Sequence, residues 1–309
     1  MEKMKVLITP RSLSKSGHPA LDKLEAAGIE LLMPWPGRQP AEEELARVLP
    51  ECFGYLAGVE QVSAEVLTSC PKLKVISRNG VGLDNVDIAA AEKMGIKVLG
   101  TPGANSQGVA ELALALLLGG MRSVTLSSTR LKAGSWDRVR GTEVQGKTLG
   151  ILGCGQIGQR LAGMAIGIGM QVIGYDLYPS EEFGKTEGFR YAQLDDLAGN
   201  ADAVSLHCPP GENPLVTRNL LKKMTMGGCI INTARAGLVD AEALLEALQT
   251  GKVSHYAVDA FDTEPPVLTE LLLHDRVTLT PHIGGFTEES VQRSAEAAVE
   301  NILKAAPKE

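Results

Sequence analysis

A chain of 309 residues with 44% apolar and only 4% aromatic residues is long enough for two α/β domains with separate cores, and its 34 glycines suit tight turns between strands and helices. A formal net charge of −7 without a Lys/Arg run argues against a general nucleic-acid surface, so any anionic ligand must be gripped by a few placed arginines. Cysteines 52, 70, 154, 208 and 229 form no CxxC pair or metal-ligand spacing, no secretory leader precedes the first apolar run, and the apolar stretch 109–118 is too short for a bilayer and contains Glu111; the expectation is a reduced, cytoplasmic protein with no metal and no membrane partner.

The first hundred residues alternate β-like runs at 5–9, 29–34, 54–58, 74–77 and 97–100 with helix-length segments starting near Pro19, Ala41, Ser63 and Asp87. Strands separated by helices predict parallel sheet covered on both faces. Thr101-Pro102-Gly103 breaks the pattern, and one long, mostly apolar helix is expected over 105–132. A second alternating series follows at 148–153, 171–176, 201–207, 229–233, 256–261 and 277–280, then a closing helix over 288–304. Two α/β domains meeting at a cleft is the economical arrangement, and such interfaces commonly hold ligands.

The stretch 148–176 has the make-up of a dinucleotide cradle. An apolar strand runs into Gly153-Cys154-Gly155-Gln156-Ile157-Gly158, a small-residue helix follows at 160–169, and the next apolar run ends on Asp176. Glycines at this spacing let a pyrophosphate approach backbone N–H groups at a helix N-terminus. A carboxylate at Asp176 suits ribose hydroxyls and repels a 2′-phosphate, which favours NAD over NADP.

Three later stretches carry candidate chemistry. Ile231 to Gly237 delivers Arg235 at the carboxyl end of a strand, where its planar fork can hold a carboxylate and polarise a neighbouring carbonyl. Val258 to Pro266 holds Glu264, and Leu279 to Gly285 holds His282. Hydride transfer at a carbinol carbon needs a group that moves the oxygen's proton near neutral pH, and a carboxylate-paired histidine meets that need. Taken singly, each has an ordinary reading as well: a surface arginine, a structural histidine, an acidic loop. His18, His255 and His274 keep that reading.

Taken together, Arg78-Asn79-Gly80-Val81-Gly82-Leu83-Asp84-Asn85-Val86-Asp87, GCGQIG, NTARAGLVD, AVDAFDTEPP and TPHIGG make the chain resemble the D-isomer-specific 2-hydroxyacid dehydrogenases, most closely their phosphoglycerate dehydrogenase-like branch. The resemblance implies a Rossmann NAD-binding domain, 101–286, inserted into a flavodoxin-like substrate-binding domain, 1–100 and 287–309, both doubly wound on parallel sheets. It implies Arg235 as substrate clamp, His282 as acid/base and Glu264 as its partner. It places the substrate carboxylate on the backbone N–H groups of Asn79, Gly80, Val81 and Gly82, with Arg78 nearby. Around NAD it assigns Gly153, Gly155, Gln156, Ile157, Gly158, Asp176, Cys208, Pro209, Thr233, Ala234, Asp259 and Gly284. Residues 131–146, with Trp136, are implied to form an arm across a homodimer.

Two positions depart from that pattern. Ala236 stands where glycine is usual, which the turn tolerates if φ is negative. The run Leu56 to Glu60 lacks the arginine that phosphoglycerate dehydrogenases often carry there, although Arg11 and Lys15 after the first strand offer an alternative anion site. The implied reaction interconverts a D-2-hydroxy acid and its 2-keto acid, in the manner of D-3-phosphoglycerate dehydrogenase or, alternatively, of a glyoxylate or hydroxypyruvate reductase. A corepressor-like NAD sensor is a remote third reading, since it makes little use of an intact Arg/Glu/His set. With the chain ending at 309, feedback through an appended regulatory domain is not expected.

Overall fold

Two all-parallel sheets account for the alternating runs, in a computed structural model that describes residues 3–307. The chain separates into two compact units, one running to Asn105 and resuming at Gly285, the other spanning Ser106–Gly284.

The first unit holds β1 (Lys5–Ile8), β2 (Glu30–Leu32), β3 (Gly54–Ala57), β4 (Val75–Arg78) and β5 (Lys97–Leu99), in the spatial order β2-β1-β3-β4-β5. Alternation within the strands divides their side chains between two cores. Leu7, Tyr55, Ala57 and Ile76 pack on one face with helices Glu42–Val48 and Ala64–Thr68, while Val6, Ile8, Leu56 and Val75 pack on the other. The second core is completed by Ala295, Ala298, Val299 and Ile302 of the closing helix, Glu288–Ala305, which is anchored at its start by the Thr287 hydroxyl accepting the Ser290 N–H. Gly54 allows the close approach: a Cβ there would lie 3.3 Å from Ile302 Cδ1.

The second unit holds β6 (Thr148–Leu152), β7 (Gln171–Tyr175), β8 (Phe189–Tyr191), β9 (Ala203–Leu206), β10 (Gly228–Asn232), β11 (Val253–Val258) and β12 (Val277–Leu279). Their order, β12-β11-β10-β9-β6-β7-β8, reverses direction between β6 and β9, as in a dinucleotide-binding sheet. Helices Ser106–Met121 and Gln156–Gly167 cover one face, and Leu194–Asn200, Arg218–Lys223 and Ala241–Gln249 the other.

Two details differ from the sequence expectations. The single helix over 105–132 is two helices, Ser106–Met121 and Val124–Lys132, meeting at 64°. Gly119 and Gly120 weaken the helix there, and Ser123 adopts a left-handed φ of 51°, which ends the first helix and starts the second at a new angle. The sheet also gains β8, a three-residue edge strand too short to register as an apolar run. Among the described residues no single helix is long and apolar enough to cross a membrane, and no group of three or more His, Cys, Asp or Glu is placed to hold a metal ion.

His255 lies buried on β11 with Nε2 2.9 Å from the Thr278 hydroxyl, and burial pushes its imidazole down from 6.5 to about 4. The folded ring is therefore neutral where the unfolded one takes up a proton, so stability falls as pH drops from about 6.5 toward about 4. His255→Gln has no such proton to take up on unfolding. The advantage of wild type over the variant, measured by urea titration, is expected to shrink between about pH 7.5 and about pH 5; a constant or growing advantage would contradict a neutral His255.

Candidate active site

The three glycines of the turn after β6 meet different surroundings. Gly153 has φ of 96°, and a Cβ on it would lie 2.6 Å from the backbone of both His207 and Cys208. Gly158 has no room either, since a Cβ would lie 2.2 Å from the Gly153 carbonyl oxygen. Gly155, by contrast, faces open space within 4 Å, and as N-cap it leaves the first turn of the Gln156–Gly167 helix without a side-chain cap. Bare N–H groups of Gln156 and Ile157 at the positive end of a helix, with open space before them, fit a pyrophosphate. Asp176 follows β7 and braces the turn: Oδ2 accepts the Cys154 N–H at 2.6 Å and Oδ1 the Tyr178 N–H at 2.8 Å. Cys208 and Pro209 follow β9, with the Cys208 thiol pushed up by burial.

The segments that follow β10, β11 and β12, which are neighbours in the sheet, carry Arg235, Glu264 and His282 in turn. Asn232, fully buried, accepts the Ala234 N–H at 3.1 Å and donates to the Arg235 carbonyl at 2.8 Å, fixing the turn that presents Arg235. Among the described non-glycine residues only Ser123 and His282 have positive φ, so Ala236 is accommodated without strain. Asp259 braces the His282 loop. Its Oδ1 accepts the Thr280 hydroxyl at 2.6 Å and the Ile283 N–H at 2.8 Å, and its Oδ2 accepts the Gly284 N–H at 2.8 Å. A Cβ on Gly284 would lie 3.0 Å from that Oδ2. With both sides of the loop tied down, His282 is held at φ of 52°, a conformation that costs an L-residue about 1–2 kcal/mol. In return its Nδ1 lies 2.7 Å from Glu264 Oε1, and that oxygen also accepts the Phe261 N–H at 3.2 Å. The carboxylate fixes the proton on Nδ1 and leaves Nε2 for chemistry. Both side chains remain part-exposed, 45% for His282 and 38% for Glu264, so a small molecule can reach them.

Sequence reasoning gives His207 no part. It follows β9 with Nε2 2.8 Å from the Ser205 hydroxyl and Nδ1 3.5 Å from that of Thr233, and burial pushes it down to about 3, so it is a neutral spacer between two strand ends. The only signal in the sequence is an imidazole closing the apolar run AVSL.

In the first unit, Arg78 closes β4 and lies over Gly80, where a Cβ would fall 1.2 Å from the guanidinium Nη1. The four N–H groups expected to form an anion nest differ in their hydrogen bonding. The Asn79 N–H donates to the Ala57 carbonyl at 2.9 Å in continuation of the β3–β4 ladder, and the Gly80 N–H donates to the Arg78 carbonyl at 2.9 Å in a local turn. The N–H groups of Val81 and Gly82 have no partner among the described residues. Buried Asn79 Oδ1 and Thr101 Oγ1 are likewise unpartnered. Arg11 donates to Gln39 Oε1 at 3.3 Å on the exposed surface.

Residues 114–284 match the family model described as "D-isomer specific 2-hydroxyacid dehydrogenase, NAD binding domain". A hydroxypyruvate reductase of Thermotoga maritima is 40% identical over 85% of this chain and 88% of its own length. A D-3-phosphoglycerate dehydrogenase of Methanocaldococcus jannaschii is 41% identical over 79% of this chain, and the chain spans about half, 48%, of that protein. A Thermus thermophilus protein of known crystal structure superposes with a TM-score of 0.88 at 35% identity, covering 98% of this chain and 96% of that one.

Gly158→Ala forces its methyl onto the Gly153 carbonyl and must open the turn. Affinity for NADH, followed by fluorescence titration, is expected to fall at least about tenfold, and an unchanged Kd would contradict a pyrophosphate seat in this turn.

Proposed function

Because the chain belongs to the D-isomer specific 2-hydroxyacid dehydrogenase family, we propose that it interconverts a short D-2-hydroxy acid and its 2-keto acid at the site gathered around Arg235, Glu264 and His282. It is an NAD-dependent oxidoreductase of the CH–OH group. Gly153, Gly155, Gln156, Ile157, Gly158 and Asp176 would hold the pyrophosphate and ribose, and Cys208, Pro209, Thr233, Ala234, Asp259 and Gly284 would border the rest of the dinucleotide. Bound NAD would supply the hydride acceptor for oxidation and, when reduced, the hydride donor.

The observation that carries this reading is the 2.7 Å bond between His282 Nδ1 and Glu264 Oε1. With Nδ1–H donated to the carboxylate, Nε2 accepts the hydroxyl proton as C2 becomes a carbonyl and returns it in the reverse direction. Glu264 steadies the imidazolium between those steps. The Arg235 guanidinium would hold the C1 carboxylate with one nitrogen pair and polarise the C2 oxygen. In the first unit, the backbone N–H groups of Asn79, Gly80, Val81 and Gly82 would be donors for a substrate carboxylate, with Arg78 adding charge.

The substrate pair carried over from the sequence is 3-phosphoglycerate and its 2-keto acid, a reading that the curated D-3-phosphoglycerate dehydrogenase relatives support. Reduction of unphosphorylated hydroxypyruvate or glyoxylate is the second reading, favoured by the acidic residue Glu60 at the exit of β3 and by the Thermotoga maritima relative. We also propose a homodimer in the cytoplasm. The exposure of Leu131 and Trp136, 55% and 82%, supports a partnered arm, and five free cysteines support a reducing compartment.

NADH consumption by the purified chain with hydroxypyruvate, phosphohydroxypyruvate, glyoxylate and pyruvate tests the reaction. At least one acceptor is expected to turn over. His282→Ala is expected to lose about 10²–10⁴ in kcat while NADH binding stays within about threefold, and turnover comparable to wild type would remove His282 from the mechanism.

A further inference from the structure

The loops leaving β1, β3 and β4 lie side by side at the carboxyl edge of the five-stranded sheet, because β1 pairs with β3 and β3 with β4. In the order β2-β1-β3-β4-β5 the winding reverses between β1 and β3, and open α/β sheets admit ligands at that switch point. Here the crevice is filled by the chain's own carboxylate. Glu60 is 2% exposed, and its Oε1 accepts from the hydroxyls of Thr9 and Tyr55 and, at 2.8 Å, from the Gly58 N–H. Gly58 makes room for it, since a Cβ there would lie 2.8 Å from Glu60 Oε2 and 3.4 Å from Pro10 Cα. Asn85 Nδ2 clamps the same segment by donating to the Glu60 carbonyl at 2.7 Å.

Two consequences follow for any ligand at this edge. The three donors that would meet an incoming anion at the switch point are already spent, and a carboxylate sits in their midst. The neighbouring loop is the Asn79–Gly82 segment, tied to β3 through the Asn79 N–H and Ala57 carbonyl. Arg11, the cation nearest in sequence to Thr9, is engaged with Gln39 on the surface. Burying a carboxylate is expensive, and apolar side chains would close the crevice at lower cost.

We propose that Glu60 is a specificity-determining residue: a built-in anion that repels a phosphate on the far carbon of the substrate, so that the chain acts on short 2-hydroxy and 2-keto acids without a second anionic group. This rests on the 2-hydroxyacid dehydrogenase reading above and, of its two substrate readings, selects the unphosphorylated acid over 3-phosphoglycerate.

The test is kcat/KM of the full chain for hydroxypyruvate and phosphohydroxypyruvate at saturating NADH, for wild type and Glu60→Gln. Wild type is expected to favour the unphosphorylated acid by at least about 100-fold, and the variant to narrow that ratio at least about tenfold by lowering KM for the phosphorylated acid. A wild-type preference for phosphohydroxypyruvate overturns the inference and leaves the dehydrogenase reading standing. An unchanged ratio in a variant that still binds NADH makes Glu60 a structural bracket only and also overturns it. No turnover of any acceptor by wild type overturns the underlying reading and the inference with it. Should Glu60→Gln fail to fold, product inhibition of wild type decides: D-glycerate must inhibit at a concentration at least about tenfold below that of 3-phosphoglycerate, and the opposite order overturns the inference.

Discussion

The active-site reading depends on one buried carboxylate. Asp259 collects a hydroxyl and two backbone N–H groups from the loop on either side of His282, which is what holds that histidine in a left-handed conformation and within 2.7 Å of Glu264. Asn232 performs the same service for the Arg235 turn. The two braces are joined directly, since the Asp259 N–H donates to the Asn232 carbonyl at 3.0 Å in the continuation of the β10–β11 ladder. Strand pairing therefore sets the spacing between the Arg235 turn and the His282 loop, and side-chain rotamers only finish it. This is the advantage of mounting reactive residues on turns at strand ends: the sheet supplies rigidity and the turns supply reach.

What the sequence discloses follows from how local each signal is. The glycine turn is legible because its three glycines fall within six residues, from Gly153 to Gly158. Most strands are legible because buried parallel strands read as continuous apolar runs. The break at Ser123 is not, since Gly119 and Gly120 also belong to an apolar helical stretch, and the decisive close packing of Gly120 on His255 is long-range: a Cβ there would lie 2.6 Å from the ring. The braces are hidden for the same reason. Asp259 reads in the sequence as a cofactor neighbour, yet its bonds reach 21 to 25 residues along the chain. The hydrogen bonds of Asn79 and Gly80 are not legible either, because a motif gives residue types and cannot tell that the Asn79 N–H continues the β3–β4 ladder and the Gly80 N–H closes a local turn.

Two carboxylates, Glu60 and Asp259, sit at strand exits of the two sheets, and each accepts three hydrogen bonds from its own chain. One shapes the loop that carries His282. The other fills the switch point of the five-stranded sheet, where the proposal above gives it a part in selecting the substrate. Their common lesson is that an acidic residue in a site need not touch substrate or metal to decide what the site does, because spending donors and placing charge are themselves selective acts.

The most direct test of the account is the fate of label from NADH carrying deuterium at both C4 positions, with an accepted 2-keto acid and the product analysed by NMR and chiral chromatography. The account predicts a D-2-hydroxy acid with deuterium on C2. Product of the L configuration, or label absent from C2, would contradict it.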